Sequence, residues 1–129
     1  MKYDKTILII EDEAMMSEAL DDKLTREGFS VLVAKDGKEG LKMALKKRPD
    51  LILLDIILPK MGGLVMLKEL RKNKWGKDAI VIVLTNLDST DKVAEAVEGG
   101  MHEYLIKSNW PINGIVNKVK ERLGLIAIH

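Results

Sequence analysis

The chain contains no cysteine. That excludes disulfides, thiolate metal sites and a cysteine nucleophile, and it fits a reducing compartment. Charge of one sign is also missing: 21 Lys and Arg stand against 20 Asp and Glu, interspersed, for a net charge of +1. A nucleic-acid binder carries a basic patch and an acidic interaction tail a block of one sign; neither is present, so no direct nucleic-acid partner is expected. No apolar stretch approaches the ~20 residues of a membrane span. The opening MKYDKTILIIEDE has an apolar run of four residues followed at once by acids, which is not a secretory signal. A soluble cytoplasmic protein with no membrane partner is expected. There are no repeats, low-complexity segments or linkers, and 129 residues suit one compact domain over 1–129. His102 and His129 lack metal-ligand spacing and are expected at the surface.

What is present is a core and two alternating periodicities. Apolar residues make up 47% and charged residues 32%, enough for a core and an ordinary polar surface. Short aliphatic or β-branched runs predict strands at 6–10, 30–34, 51–54, 79–84 and 103–106. Longer amphipathic patterns follow them. Met16, Leu20 and Leu24 recur every four residues; Ile112, Ile115, Val116, Val119 and Leu123 form a last apolar stripe; helices are also predicted at 38–47, 64–72 and 90–98. Gly28 and Gly99 stand where helices should stop in a left-handed cap. Asp36-Gly37 marks a turn, and Pro111 can open the last helix. Met15, Met16, Met43, Met61, Met66 and Met101 form no single stripe and are expected to fill the core. Trp110 is read either as packing or as an exposed partner anchor.

Five βα units in a row predict an α/β fold with a parallel sheet covered on both faces. Ligands of such sheets bind outside the carboxyl ends of the strands. In LILLDIILPKMGG, seven of the eight residues 51–58 are Leu or Ile and the other is Asp55. A carboxylate among aliphatics is costly unless paired, but here it falls at the strand end. Glu11, Asp12 and Glu13 follow the first strand, Thr85 ends the fourth and Lys107 ends the fifth. Glu11, Asp12 and Asp55 against Lys107 leave a deficit of about two positive charges, which crowded like charges make unfavourable. A hard divalent cation such as Mg²⁺ would fill it. Metal, Lys107 and the Thr85 hydroxyl could then share the oxygens of a phosphoryl group, with a carboxylate as nucleophile giving an aspartyl phosphate.

This constellation resembles the receiver domain of two-component response regulators over essentially the whole chain. Glu11-Asp12, Asp55, Thr85 and Lys107 occupy the family's positions at the ends of strands one, three, four and five. DIILPKMGG is similar to its D-x-x-[LM]-P-x-M-[DG]-G segment, and GGMHEYLIK to G-A-x-[DE]-[YF]-[LIV]-x-K, with Tyr104 at the switch aromatic. The resemblance implies a flavodoxin-like (βα)5 three-layer sandwich with sheet order 2-1-3-4-5. It implies that Asp55 accepts phosphate from a histidine kinase, a phosphotransfer protein or a small phosphodonor. Mg²⁺ or Mn²⁺ would be held by Asp12, Asp55 and the Ile57 backbone carbonyl, with Glu11 acting mainly through water. Lys107 would bind a phosphoryl oxygen. Thr85 would move to the phosphoryl group and Tyr104 turn inward behind it, changing the partner surface of the last strand and the helices around 90–98 and 104–122, Tyr104 and Trp110 included, for an unnamed downstream target. Such a protein catalyses only its own phosphorylation and dephosphorylation.

Three positions depart from the family pattern. Ser108 replaces the proline that usually follows the lysine through a cis bond; a cis bond before serine costs roughly 3 kcal/mol, so the bond is either trans or held under strain. Asn86 replaces a small residue. Ile57 and Leu87 stand where polar side chains are frequent, so Ile57, Asn86 and Leu87 are expected to shield the phosphoryl group and slow its hydrolysis. Other functions fit less well. A phosphatase of the haloacid dehalogenase type needs a second Asp two residues beyond the nucleophile, where Ile57 stands. A flavin or nucleotide module needs a Gly/Ser/Thr-rich loop after the first strand, where three acids stand. A receiver fold used only as an interaction surface usually loses the Asp or the acidic pair, and both are here.

Overall fold

The apolar runs at 7–10, 51–54 and 81–84 are buried along their whole length, because each lies in a sheet covered on both faces. In the computed structural model, which describes residues 2–127, strands β1 (Thr6–Ile10), β2 (Ser30–Ala34), β3 (Leu51–Leu54), β4 (Val81–Thr85) and β5 (Glu103–Ile106) alternate with helices α1 (Ala14–Glu27), α2 (Gly37–Lys47), α3 (Gly63–Arg71), α4 (Thr90–Glu98) and α5 (Ile112–Arg122). The strands are parallel in the order β2-β1-β3-β4-β5, the flavodoxin-like arrangement that the motifs imply. No helix of the described residues is long and apolar enough to cross a membrane.

Strand side chains alternate between faces, and the core divides accordingly. Ile7, Ile9, Leu51, Leu53, Ile82 and Leu84 pack with Leu20 and Leu24 of α1 and Ile115, Val116 and Val119 of α5. Leu8, Ile10, Ile52, Leu54 and Val81 pack with Ala44 of α2 and Met66, Leu67 and Leu70 of α3. A smaller cluster of Ile56, Val83 and Ala96 lies beneath α4 and receives Leu87 and Tyr104. Of the methionines, Met66 is fully buried and Met16, Met43, Met61 and Met101 pack partly against these clusters. Met15 does not fill the core: it is 87% exposed, one position off the stripe of Met16, Leu20 and Leu24.

Local chemistry moves several expected boundaries. β4 begins at Val81 rather than 79, because the 3₁₀ turn Gly76–Asp78 takes the Ala79 N–H onto the Gly76 carbonyl. Gly28 caps α1 at φ 106°, as expected. Gly99 ends α4 at φ −76°; the left-handed residue is its neighbour Gly100, at φ 75°. Asp36 caps α2 by accepting from the Glu39 N–H at 2.7 Å, the usual service of a short acid at that position. Pro111 stands immediately before the first residue of α5 and accepts the Ile115 N–H on its carbonyl.

Two side chains do structural work that the sequence did not announce. Arg71, the last residue of α3, donates to the carbonyls of Gly76, Ala79, Gly99 and Gly100 at 2.7–2.9 Å, tying α3, the turn before β4 and the end of α4 together. His102 is half-buried rather than on the surface. Its backbone N–H donates to Val81 O at 2.7 Å, and its Nδ1 accepts the Val81 N–H at 3.2 Å. Burial, then the charges of Arg71 and Arg122, hold its pKa below the usual 6.5. The folded protein therefore resists a proton that the unfolded chain takes up. The stability that His102 contributes is complete above about pH 6.5 and is lost as pH falls from there toward the depressed folded value. Urea midpoints measured across this range should decline more steeply in the wild type than in His102→Asn, whose amide does not titrate; parallel declines would contradict this.

Candidate functional site

The parallel ladder runs one residue past the ends of the central strands. Glu11 donates its N–H to Ala34 O, and Asp55 donates its own to Ile10 O, both at 3.0 Å. Both carboxylates are thereby held at the carboxyl edge of the sheet, 2% and 5% exposed. Asp12 stands beside them, exposed, and one carboxylate oxygen from each of Glu11, Asp12 and Asp55 lies within 4.8 Å of the others. An all-oxygen set of this kind, with an open side, suits a hard cation that keeps several waters. α3 starts immediately above, and a Cβ on Gly63 would fall 2.1 Å from the Asp55 carbonyl oxygen. Only glycine lets α3 begin so close to the Asp55 backbone.

Lys107 lies in a 3₁₀ turn, Lys107–Asn109, that follows β5. Its Nζ is 2.6 Å from Glu11, 2.8 Å from Asp55 and 2.5 Å from Glu13. Burial works against its charge, but the hydrogen bonds it donates to Asp55, Glu11 and Glu13 outweigh it and hold Lys107 above the ordinary lysine range. Glu11 is affected the other way. Burial, joined by the charge of Asp55, pushes its carboxyl up to about 7 although it bonds Lys107. The two directions are compatible: one ammonium is shared by three acids, so its own charge is secure while the most deeply buried acid is under-compensated. The shortage of positive charge counted in the sequence is thus a property of the folded site.

Thr85 is fully buried, and its Oγ1 accepts the Leu87 N–H at 3.3 Å. Tyr104 donates its hydroxyl to the Leu87 carbonyl at 2.5 Å. One residue of the β4–α4 loop is therefore held from both sides by the two side chains singled out as a switch. Tyr104 is half-buried, and its pKa is raised by burial and then by Asp88 and Asp55. Ile57 donates its N–H to Asp55 Oδ1 at 3.1 Å, while its side chain is 60% exposed. Leu87 packs inward with Tyr104. Trp110 packs against the α1–α5 side of the core, with the Lys118 ammonium over its ring at 5.4 Å.

The described residues contain no cis peptide, so the Lys107–Ser108 bond is trans. Ser108 supplies an N–H that proline lacks, and it donates this to Asn86 Oδ1 at 3.1 Å. Two departures from the family pattern thus meet in one contact between the loops after β4 and β5. Neither that pairing nor the contact of Glu13 with Lys107, 94 positions apart, had a signal in the sequence. His129 lies outside the described residues.

Residues 7–120 match the family model described as the response regulator receiver domain. The alkaline phosphatase synthesis transcriptional regulatory protein PhoP of Bacillus subtilis is 35% identical over 125 residues, covering 95% of this chain and 51% of PhoP. The chain spans about half the length of the curated relatives it matches, between 43% and 51%. Among solved structures, a CheY-like response regulator receiver domain protein from Methanospirillum hungatei superposes with a TM-score of 0.87 at 27% identity, over 94% of both chains. The receiver domain of a sensor histidine kinase from Pseudomonas aeruginosa, solved with a magnesium ion coordinated in its active-site cleft, superposes with a TM-score of 0.84 at 25% identity, over 94% of this chain and 98% of that one.

Proposed function

The chain belongs to the response regulator receiver domain family, and on that premise we propose that it is the phosphoacceptor of a two-component system, with Asp55 as the residue modified. The observation that carries this is the contact of Lys107 with Asp55 at 2.8 Å, in a set where Asp55, Glu11 and Asp12 bring carboxylate oxygens within 4.8 Å of one another. Residues 1–129 act as a single receiver domain, and all the described strands share one sheet.

Asp55 Oδ1 is held by the Ile57 N–H and Oδ2 by Lys107, which fixes the carboxylate for attack on phosphorus. The bond from Asp55 oxygen to phosphorus forms as the bond from phosphorus to the donor's histidine nitrogen or acyl oxygen breaks, and the electron pair leaves with the donor. Asp12, Asp55 and the Ile57 carbonyl would hold Mg²⁺ or Mn²⁺, with Glu11 behind a water; the ion supplies positive charge against the phosphoryl oxygens. Lys107 takes a further phosphoryl oxygen. Thr85 releases the Leu87 N–H when its hydroxyl turns to the phosphoryl group. The Leu87 carbonyl is the anchor of Tyr104, so this release is the step that reaches β5. The responding surface comprises α4, β5 and α5, including Tyr104, Trp110 and the exposed Val97. Its partners are a histidine kinase or phosphotransfer protein upstream and a protein target downstream, acting in the cytoplasm.

Incubation with acetyl phosphate and Mg²⁺ should add the mass of one phosphoryl group to the intact protein, and chelation of the metal should prevent it. An unchanged mass, together with no response to beryllofluoride, would leave a receiver fold that works without phosphorylation.

Ile57, Asn86 and Leu87 tune the lifetime of the phosphoryl group. Ile57 offers an incoming water no hydrogen bond, Leu87 faces the core, and the Asn86 oxygen is occupied by Ser108. The double variant Ile57→Asn, Leu87→Glu should lose its phosphate faster, by about tenfold, less than the roughly 10²–10⁴ of a fully positioned general base because the new side chains are placed only by substitution. Decay followed after removal of the donor tests this; equal or slower loss in the variant would refute it.

A further inference from the structure

We propose that Glu13 is a latch on Lys107: it occupies the third hydrogen-bonding direction of the ammonium in the resting protein, and an incoming phosphoryl group displaces it. This rests on the phosphoacceptor function proposed above and concerns a residue outside the family's acidic pair.

An ammonium group has three donors and no acceptor. In Lys107 all three have carboxylate partners, Glu11 at 2.6 Å, Asp55 at 2.8 Å and Glu13 at 2.5 Å. None is left for a phosphoryl oxygen until one partner leaves. The three partners differ in what leaving costs. The side chains of Glu11 and Asp55 are 3% and 6% exposed, and a buried carboxylate stripped of its cation is strongly disfavoured. The Glu13 side chain is 60% exposed, so water can replace Lys107 at once. Glu13 is therefore the partner that yields.

The alternative for an acid at this position is service to the helix that follows it. Glu13 is the residue immediately before α1, yet its side chain makes no capping hydrogen bond there. Its backbone serves the helix instead, through the carbonyl that accepts the Ser17 N–H at 3.0 Å. The carboxylate crosses to the β5–α5 turn. The Glu13 N–H donates to Glu11 Oε2 at 3.2 Å, which links the latch to the buried acid next to it. When the phosphoryl group takes Lys107, Glu13 also becomes an unpaired negative charge at the mouth of the site. It therefore opposes the phosphorylated form twice, by competing for the cation and by repelling the anion.

Glu13→Gln should bind beryllofluoride in the presence of Mg²⁺ about three- to fivefold more tightly than wild type, the scale of one partly exposed ion pair. The same variant should lower the apparent KM for acetyl phosphate while the maximal phosphorylation rate changes little. Glu13→Asp keeps the charge and loses reach by one methylene, so it should fall closer to Gln than to wild type. Glu18→Gln, on the exposed side of α1, controls for the loss of one acid and should match wild type. Equal beryllofluoride affinity in Glu13→Gln and wild type would overturn the latch, as would Glu13→Asp behaving as wild type or Glu18→Gln reproducing the gain. A fall of about tenfold or more in Mg²⁺ affinity without beryllofluoride would assign Glu13 to the metal instead. Failure of wild type itself to bind beryllofluoride removes the phosphoacceptor function and the latch with it, a result distinct from the others because every variant then fails alike.

Discussion

Asp55→Asn is expected to end phosphorylation by acetyl phosphate, with a rate loss of about a thousandfold or more, the scale seen when an enzyme loses its nucleophile. The substitution isolates chemistry from structure. Asn keeps the shape of Asp, and its oxygen can still accept from Lys107 or from the Ile57 N–H, the two donors that orient the native side chain. What disappears is the second oxygen and the negative charge needed to attack phosphorus. Intact-mass measurement after incubation with acetyl phosphate and Mg²⁺ reads the loss directly, and a urea titration of the same sample confirms that the protein is folded. Persistent phosphorylation at a comparable rate would move the acceptor to another acid of the site, Glu11 or Asp12, and Asp55 would no longer be the nucleophile.

Arg71→Met should cost about 3 kcal/mol of stability or more, because hydrogen bonds to a charged donor are worth roughly 1.5–3 kcal/mol each and water relieves the stranded carbonyls only in part. Four carbonyls depend on this one guanidinium. They belong to the turn before β4, which also hangs from α3 through Asn73, and to the end of α4, where Leu67 lies close to Gly99. Methionine retains most of the aliphatic stem, so the difference reports on the hydrogen bonds rather than on a cavity. Arg71→Lys should recover little, since an ammonium has three donors and no planar fork. The denaturation midpoint should fall in both variants. A loss below about 1 kcal/mol for Met, the level of an ordinary surface contact, would show that the carbonyls find water instead.

The strands, the helices and the principal site were legible because each is written in local pattern. The runs 51–54 and 81–84 are apolar at every position, which only a sheet covered on both faces accommodates. The acids, hydroxyl and lysine could be placed together because a parallel sheet brings every strand's carboxyl end to one edge. Boundaries moved where a single backbone bond decided them, as at Ala79 and Gly100. Met15 and His102 were misplaced for a related reason: residue type says what a side chain prefers, and here a helix phase exposed one while a missing ladder partner drew in the other.

By itself, the sequence determined the order of the elements, the parallel sheet and the identity of Glu11, Asp12, Asp55, Thr85 and Lys107 as its edge residues, since periodicity and chain order suffice for these. Only the tertiary structure decided which carboxylates share Lys107, that Thr85 and Tyr104 hold the same residue from opposite sides, that Asn86 meets Ser108, and that Arg71 fastens four carbonyls. Each of these joins side chains from different elements across the fold. Hydrogen bonds act over about 3 Å, and which groups come that close depends on how the helices pack on the sheet, a quantity that no spacing along the chain records.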